Sequence, residues 1–223
     1  MKKYIRFLFI CGILLLLSEI WKQWCLTFLL NNGEYNWWYF PFQLCSIPMY
    51  LCLALPWVNE RMQRIFLTFL MTFSLLGGIF TFFDTSGMYY PYTPLTLHSF
   101  FWHIFLIILG ISAGVVKSKY TKNTAGEFLC SVLCYLFCCL MATVFNIVFH
   151  PYGSINMFYI SPYYMMNQKV FAEISANLGN AVGILAYILA TLFGAFLLDL
   201  FWYRLSFMKI SIENRIYFSD NDR

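Results

Sequence analysis

Charge is what this chain has least of. Only 11% of its 223 residues are charged, against roughly 25% in soluble domains. That scarcity excludes an ordinary soluble domain. The formal net charge of +4 does not suggest nucleic acid as a partner, because the basic residues sit in short clusters between apolar runs and so carry topological information instead. The first apolar run lacks a small-residue cleavage site after it and continues through Glu19-Ile20-Trp21-Lys22-Gln23, which predicts an uncleaved first helix and not a signal peptide. No soluble segment, low-complexity tract or internal repeat interrupts the chain, so residues 1–223 read as a single integral membrane domain.

What is present is hydrophobic: 61% apolar residues, with 25 Phe, 16 Tyr and 7 Trp. Runs near 5–30, 41–58, 65–83, 95–116, 126–149 and 178–202 are each expected to span a hydrocarbon core of about 30 Å at about 1.5 Å per residue. The expected fold is all-α, a polytopic bundle of six transmembrane helices. If the spans number six, twelve Lys and Arg fall on one side: Lys2, Lys3, Arg6, Arg61, Arg64, Lys117, Lys119, Lys122, Arg204, Lys209, Arg215 and Arg223. The other side holds Lys169 alone, with Lys22 inside the first span. Basic residues are retained in the cytoplasm, so both termini are expected there. Of the eight cysteines, all but Cys25 fall well inside apolar runs, which predicts free thiols packed among helices and no disulfide framework.

Polar groups at membrane depth are costly unless buried in protein or lining a cavity, so they mark candidate sites. Cys45 is expected about 6 Å inside the outer boundary, His98 about 5 Å and His103 about 12 Å. Glu19, followed one turn later by Gln23, lies in the same outer half, where Asn146 and His150 also end their span. This convergence predicts a cavity opening outward. Simpler roles compete. Cys45 alone would usually be a packing residue, and Glu19 with Lys22 or Gln23 would form a neutralised pair. Cys130, Cys134 and Cys138 form an i, i+4, i+8 stripe with no His or carboxylate beside it, so close helix packing is expected there and no metal. His98 and His103 are five positions apart and are expected to point to different faces, only one of them lining the cavity closely. Gly110 and Gly114, flanking Ile111-Ser112-Ala113, predict close helix packing within one chain or between two copies, which leaves a homo-oligomer open.

Three motifs in order carry a resemblance. Pro41-Phe42-Gln43-Leu44-Cys45-Ser46 resembles the LPLHLC signature of YwaF-like bacterial integral membrane proteins. Phe100-Phe101-Trp102-His103-Ile104 is similar to that family's aromatic segment ending in His, and Asn146 with Gly153-Ser154-Ile155-Asn156-Met157-Phe158-Tyr159-Ile160 resembles its N…GTNYMYL stretch. Gln43 stands where the family has His, and Met157 where it has Tyr. The family is related to eukaryotic transmembrane acyltransferases that remodel ether phospholipids and to androgen-induced membrane hydrolases of lipid esters. The resemblance implies a bacterial plasma membrane protein, membrane lipids as substrate, Cys45 as nucleophile and His103 as general base, with no cofactor. Such chemistry needs oxyanion donors, for which Gln43, Asn146 and Asn156 are candidates, and Glu19 is grouped with them as a substrate contact. The rival reading is a non-enzymatic substrate-binding subunit of a membrane transporter. Such subunits typically dock through Ala-x-x-x-Ala in the first helix, and the first run here contains no Ala.

Overall fold

The computed structural model describes residues 1–120 and 124–221, with side chains described for 1–119 and 124–206. Lys122 and Arg223 lie outside the described residues, as do the side chains of Lys209 and Arg215. Among the described residues there are helices and no strands. The elements are α1 (Lys2–Leu29), α2 (Ile47–Trp57), α3 (Glu60–Phe83), α4 (Thr93–Tyr120), α5 (Ala125–Phe149), α6 (Phe171–Leu178) and α7 (Asn180–Asn221). The protein is thus an all-α membrane helix bundle, in which α1, α3, α4, α5 and α7 are long and apolar enough to cross a bilayer.

The expected helix over 41–58 is only partly helical. Pro41 disfavours helical geometry at Phe40, and residues 40–46 curl through irregular turns instead. The helix starts at Ile47, with Pro48 in its first turn, where a missing N–H costs nothing. At 11 residues α2 rises about 16 Å, well short of the hydrocarbon core. It nonetheless runs antiparallel along α1. Gln23 Nε2 donates to the Tyr39 carbonyl at one level, Gly12 meets Cys52 at the next, and Phe9 packs edge-on to Trp57 at the last. The connection after α5 differs too, because it contains the short helix α6.

α3 is the central post. Of its most apolar stretch 72% is buried, against 17% for α7, so α7 offers most of its surface to lipid. Close approach of α3 and α4 rests on glycine: a Cβ on Gly78 would lie 3.0 Å from Ile107, and one on Gly110 2.9 Å from the Leu70 carbonyl. Leu70–Ser74 is a π-helical segment, and the carbonyl of Met71 within it accepts from Trp202 Nε1 of α7 at 3.1 Å. The Trp202 ring in turn lies over Gly114. The Gly110/Gly114 stripe is therefore occupied within one chain.

The end of the bundle without long loops is held by ions. Glu127 of α5 binds Arg64 Nε of α3 at 2.7 Å and Lys117 Nζ of α4 at 2.8 Å. The Thr124 hydroxyl oxygen accepts the Glu127 N–H at 3.3 Å, capping α5.

Gly110→Ala is expected to destabilise the bundle by about 1–3 kcal/mol, because the added methyl meets backbone and not a movable side-chain tip. Gly126→Ala, where nothing lies within 4 Å, is the control. Thermal unfolding in detergent should separate the two, and an unchanged Tm for Gly110→Ala would refute the packing argument.

Candidate functional site

At the loop-bearing end, the irregular segment 40–46, the adjoining halves of α3, α4 and α7, and residues 159 and 167–171 surround a cavity of 640 Å³. Ligand pockets usually hold roughly 300–1,000 Å³. Cys45 and His103 both line it, from segments 57 residues apart at the Trp102–Cys45 contact.

Cys45 is half-buried at the turn before α2. Its carbonyl accepts from Trp102 Nε1 at 3.1 Å, which pins the turn to α4 one residue before His103. No carbonyl among the described residues takes the Cys45 N–H. His103 is buried, and its Nδ1 lies 2.8 Å from the Ser99 carbonyl. A carbonyl can only accept, so Nδ1 carries the proton and Nε2 of the neutral ring keeps a lone pair. That is the tautomer a general base requires. Sulfur and imidazole share the cavity wall, but no hydrogen bond joins them.

His98 lines the cavity as well, which corrects the expectation that only one of the two histidines could do so closely. The cavity is wide enough to be reached from both faces of α4. His98 Nε2 is paired with Ser18 Oγ of α1 at 2.5 Å, so His98 ties α1 to α4.

Of the three amides expected as oxyanion donors, Gln43 and Asn146 are committed to backbone at both ends, whereas the buried Asn156 Nδ2 has no partner among the described residues; of the three, Gln43 alone lines the cavity. Gln43 Nε2 donates to the Asn156 carbonyl at 2.9 Å and its Oε1 accepts the Phe158 N–H at 2.6 Å. Asn146, fully buried in α5, accepts the Met157 N–H at 2.6 Å and donates to the Met157 carbonyl at 3.0 Å. Asn156 Oδ1 accepts the Ser161 N–H at 3.0 Å. Together they clamp residues 156–161, where Phe158 and Tyr159 hold successive φ values of 55° and 58°. Two left-handed non-glycine residues cost about 1–2 kcal/mol each, and the clamp offsets that strain. Its result is that Tyr159 lines the cavity. Burial pushes the Tyr159 phenol up to about 12, so it stays a neutral hydroxyl at physiological pH.

Glu19 lies behind the wall. It is buried, and its Oε1 accepts from Lys22 Nζ at 2.8 Å and Gln23 Nε2 at 2.7 Å, the neutralised-pair arrangement. Lys22 itself lines the cavity and acts electrostatically on Cys45, His98 and His103. Its ammonium also sits 6.0 Å from the Trp102 ring centroid. Lys22 is the central residue that sequence reasoning did not place in the site. The signal available was a lysine at membrane depth that a single helix turn does not fully hide. Asp84 and Lys169 meet at 3.9 Å at the rim. The Ser86 hydroxyl and N–H, with a smaller contribution from Lys169, hold the Asp84 carboxyl below the usual range.

No family model matches the chain, and neither a curated protein nor a solved structure matches it significantly.

Asn146→Leu should cost about 1–3 kcal/mol, because it strands the buried N–H of Met157 and leaves the Met157 carbonyl with the Ile160 N–H alone. Gln43→Leu should loosen the same loop. Limited proteolysis within residues 153–170 reads the effect directly, and an undisturbed loop in both variants would contradict the clamp.

Proposed function

We propose that this membrane protein transfers or hydrolyses acyl groups of lipid esters in the bilayer half that holds the cavity, with Cys45 as nucleophile and His103 as base. The observation that carries the reading is that both side chains line the same cavity, with His103 Nδ1 engaged by Ser99. The ordered resemblance to YwaF-like proteins supports the same pair. In this reading both termini are cytoplasmic and the cavity lies in the outer half of a bacterial plasma membrane.

The steps follow from the groups present. His103 Nε2 takes the thiol proton, the Cys45 sulfur bonds to the ester carbonyl carbon, and the carbonyl electron pair moves onto oxygen. Collapse breaks the ester C–O bond, and the leaving alkoxide takes the proton from His103. Water or an acceptor alcohol, deprotonated by His103, then attacks the thioester, and the C–S bond breaks as sulfur regains its proton. Lys22, which lines the cavity, and the Cys45 N–H are the candidate donors for the developing oxyanion, since Gln43 and Asn146 are held by backbone. Sulfur and imidazole must close to hydrogen-bonding distance when an ester occupies the cavity, as catalytic pairs commonly do.

The missing Cys45–His103 hydrogen bond favours a second reading, in which the cavity only captures a ligand for a membrane transporter. Turnover of a fluorescent diacyl phospholipid by the purified protein in vesicles distinguishes them. Cys45→Ala should abolish turnover and His103→Ala should lower it by about 10²–10⁴-fold, while Cys130→Ala leaves it unchanged. Full activity in Cys45→Ala would end the acyl-transfer reading. Lipid retained by a wild-type protein that turns nothing over would favour capture.

A further inference from the structure

The cavity has a side facing the membrane. Where α3 and α7 cross, a Cβ on Gly194 would meet the Leu76 side chain at 2.8 Å, so the two helices touch there. One turn nearer the loops, they part. Gly77 and Phe80 of α3 and Ala190 of α7 all line the cavity, and Phe80 and Ala190 are also exposed. At the rim the gap is bridged by Lys169, whose Nζ donates to the Phe83 carbonyl at 3.4 Å and lies near Asp84.

Helix geometry makes Ala190 the edge of that gap. At about 100° per residue, Tyr187, Thr191 and Gly194 fall within about 100° on one side of it. Tyr187 and Thr191 line the cavity, and Gly194 packs on α3. Phe193 and Leu197 fall within about 60° on the other side and are exposed on the outer face of α7. Ala190 also stands ten residues into α7, about 15 Å along its axis from Asn180. At that depth the surrounding solvent is hydrocarbon, not water. The neighbouring groups agree: Phe80 is aromatic, while Gly77 has only Leu44 within 4 Å of a built Cβ, at 3.7 Å.

We infer that the gap between α3 and α7, floored by Leu76 and Gly194 and capped by Lys169 on Phe83, is a lateral portal that admits one hydrocarbon chain of a membrane lipid to the cavity. Gly77 and Ala190 set its width. A chain threaded there reaches the wall that carries Cys45, while the polar part of the lipid stays with Lys22 and the rim residues. The substrate side of this inference rests on the acyl-transfer reading, but the portal itself does not require catalysis.

The test uses the full chain in vesicles of phosphatidylcholine carrying a photoreactive diazirine at the end of one acyl chain, with adducts mapped by mass spectrometry. Wild type should be labelled on the inner wall, at residues 44–46, Tyr187 and Thr191, as well as on outward residues such as Leu189 and Phe193. Ala190→Trp should lose the inner labelling and keep the outer, and Ala190→Ser, which keeps the width, should resemble wild type. Inner labelling that is absent from wild type, or unaffected by Ala190→Trp, overturns the portal. Cys45→Ala separates the two proposals: it should be labelled like wild type even though turnover is lost. Inner labelling of a wild type that has no turnover would uphold the portal and remove the catalytic reading, whereas turnover without inner labelling would do the reverse.

Discussion

Backbone that is neither helix nor strand has to find its hydrogen-bond partners inside the protein where water is absent. This bundle contains two such stretches close together, residues 40–46 before α2 and 153–170 after α5. The first answers part of the second's need, and side chains of the helices supply the rest. Gln43 of the first stretch and Asn146 of α5 bond the backbone of Asn156, Met157 and Phe158, while Trp102 of α4 takes the carbonyl of Cys45. Remove that exchange and neither irregular segment can stay among the helices. The cavity exists because both do.

The same constraint explains the division of labour among polar residues. An amide offers a donor and an acceptor and can replace a missing backbone partner on both counts, so Gln43 and Asn146 serve structure. An imidazole with one nitrogen anchored keeps the other for chemistry, so His103 retains a reactive position. Lys22 resembles neither. Its charge is balanced by Glu19 behind it, yet it stands in the wall of the cavity. A cation held in an apolar site acts more strongly on a developing negative charge than it would in water.

The opposite end of the bundle is built differently. There Glu127 joins Arg64 and Lys117, and the helices α3, α4 and α5 are bound by ions. At mid-depth, glycines bring backbones together and the π-helical turn of α3 supplies a carbonyl to Trp202. Contact of α3 and α7 at Met71–Trp202 and Leu76–Gly194 is compatible with separation nearer the loops, because helices that cross at an angle diverge away from the crossing.

The sequence alone was enough for the helical membrane class, since hydrocarbon admits few backbone solutions and long apolar runs meet one of them. It also singled out Cys45 and His103, because a thiol and an imidazole at membrane depth are costly anomalies. The glycine stripe of α4 was legible for a related reason: close packing leaves a periodic mark. Tertiary structure decided the rest. Helix periodicity did not reveal that 41–46 is irregular, because its apolar composition looks the same whether it faces lipid or lines a cavity. Spacing along α4 set His98 and His103 on different faces, yet a cavity wide enough reaches both. Nor could sequence show that Gln43 and Asn146 are committed to backbone, or that Lys22 enters the site. Those assignments depend on which groups meet, some of them more than 100 residues apart, as Gln43 and Asn156 are, and only the folded chain brings them together.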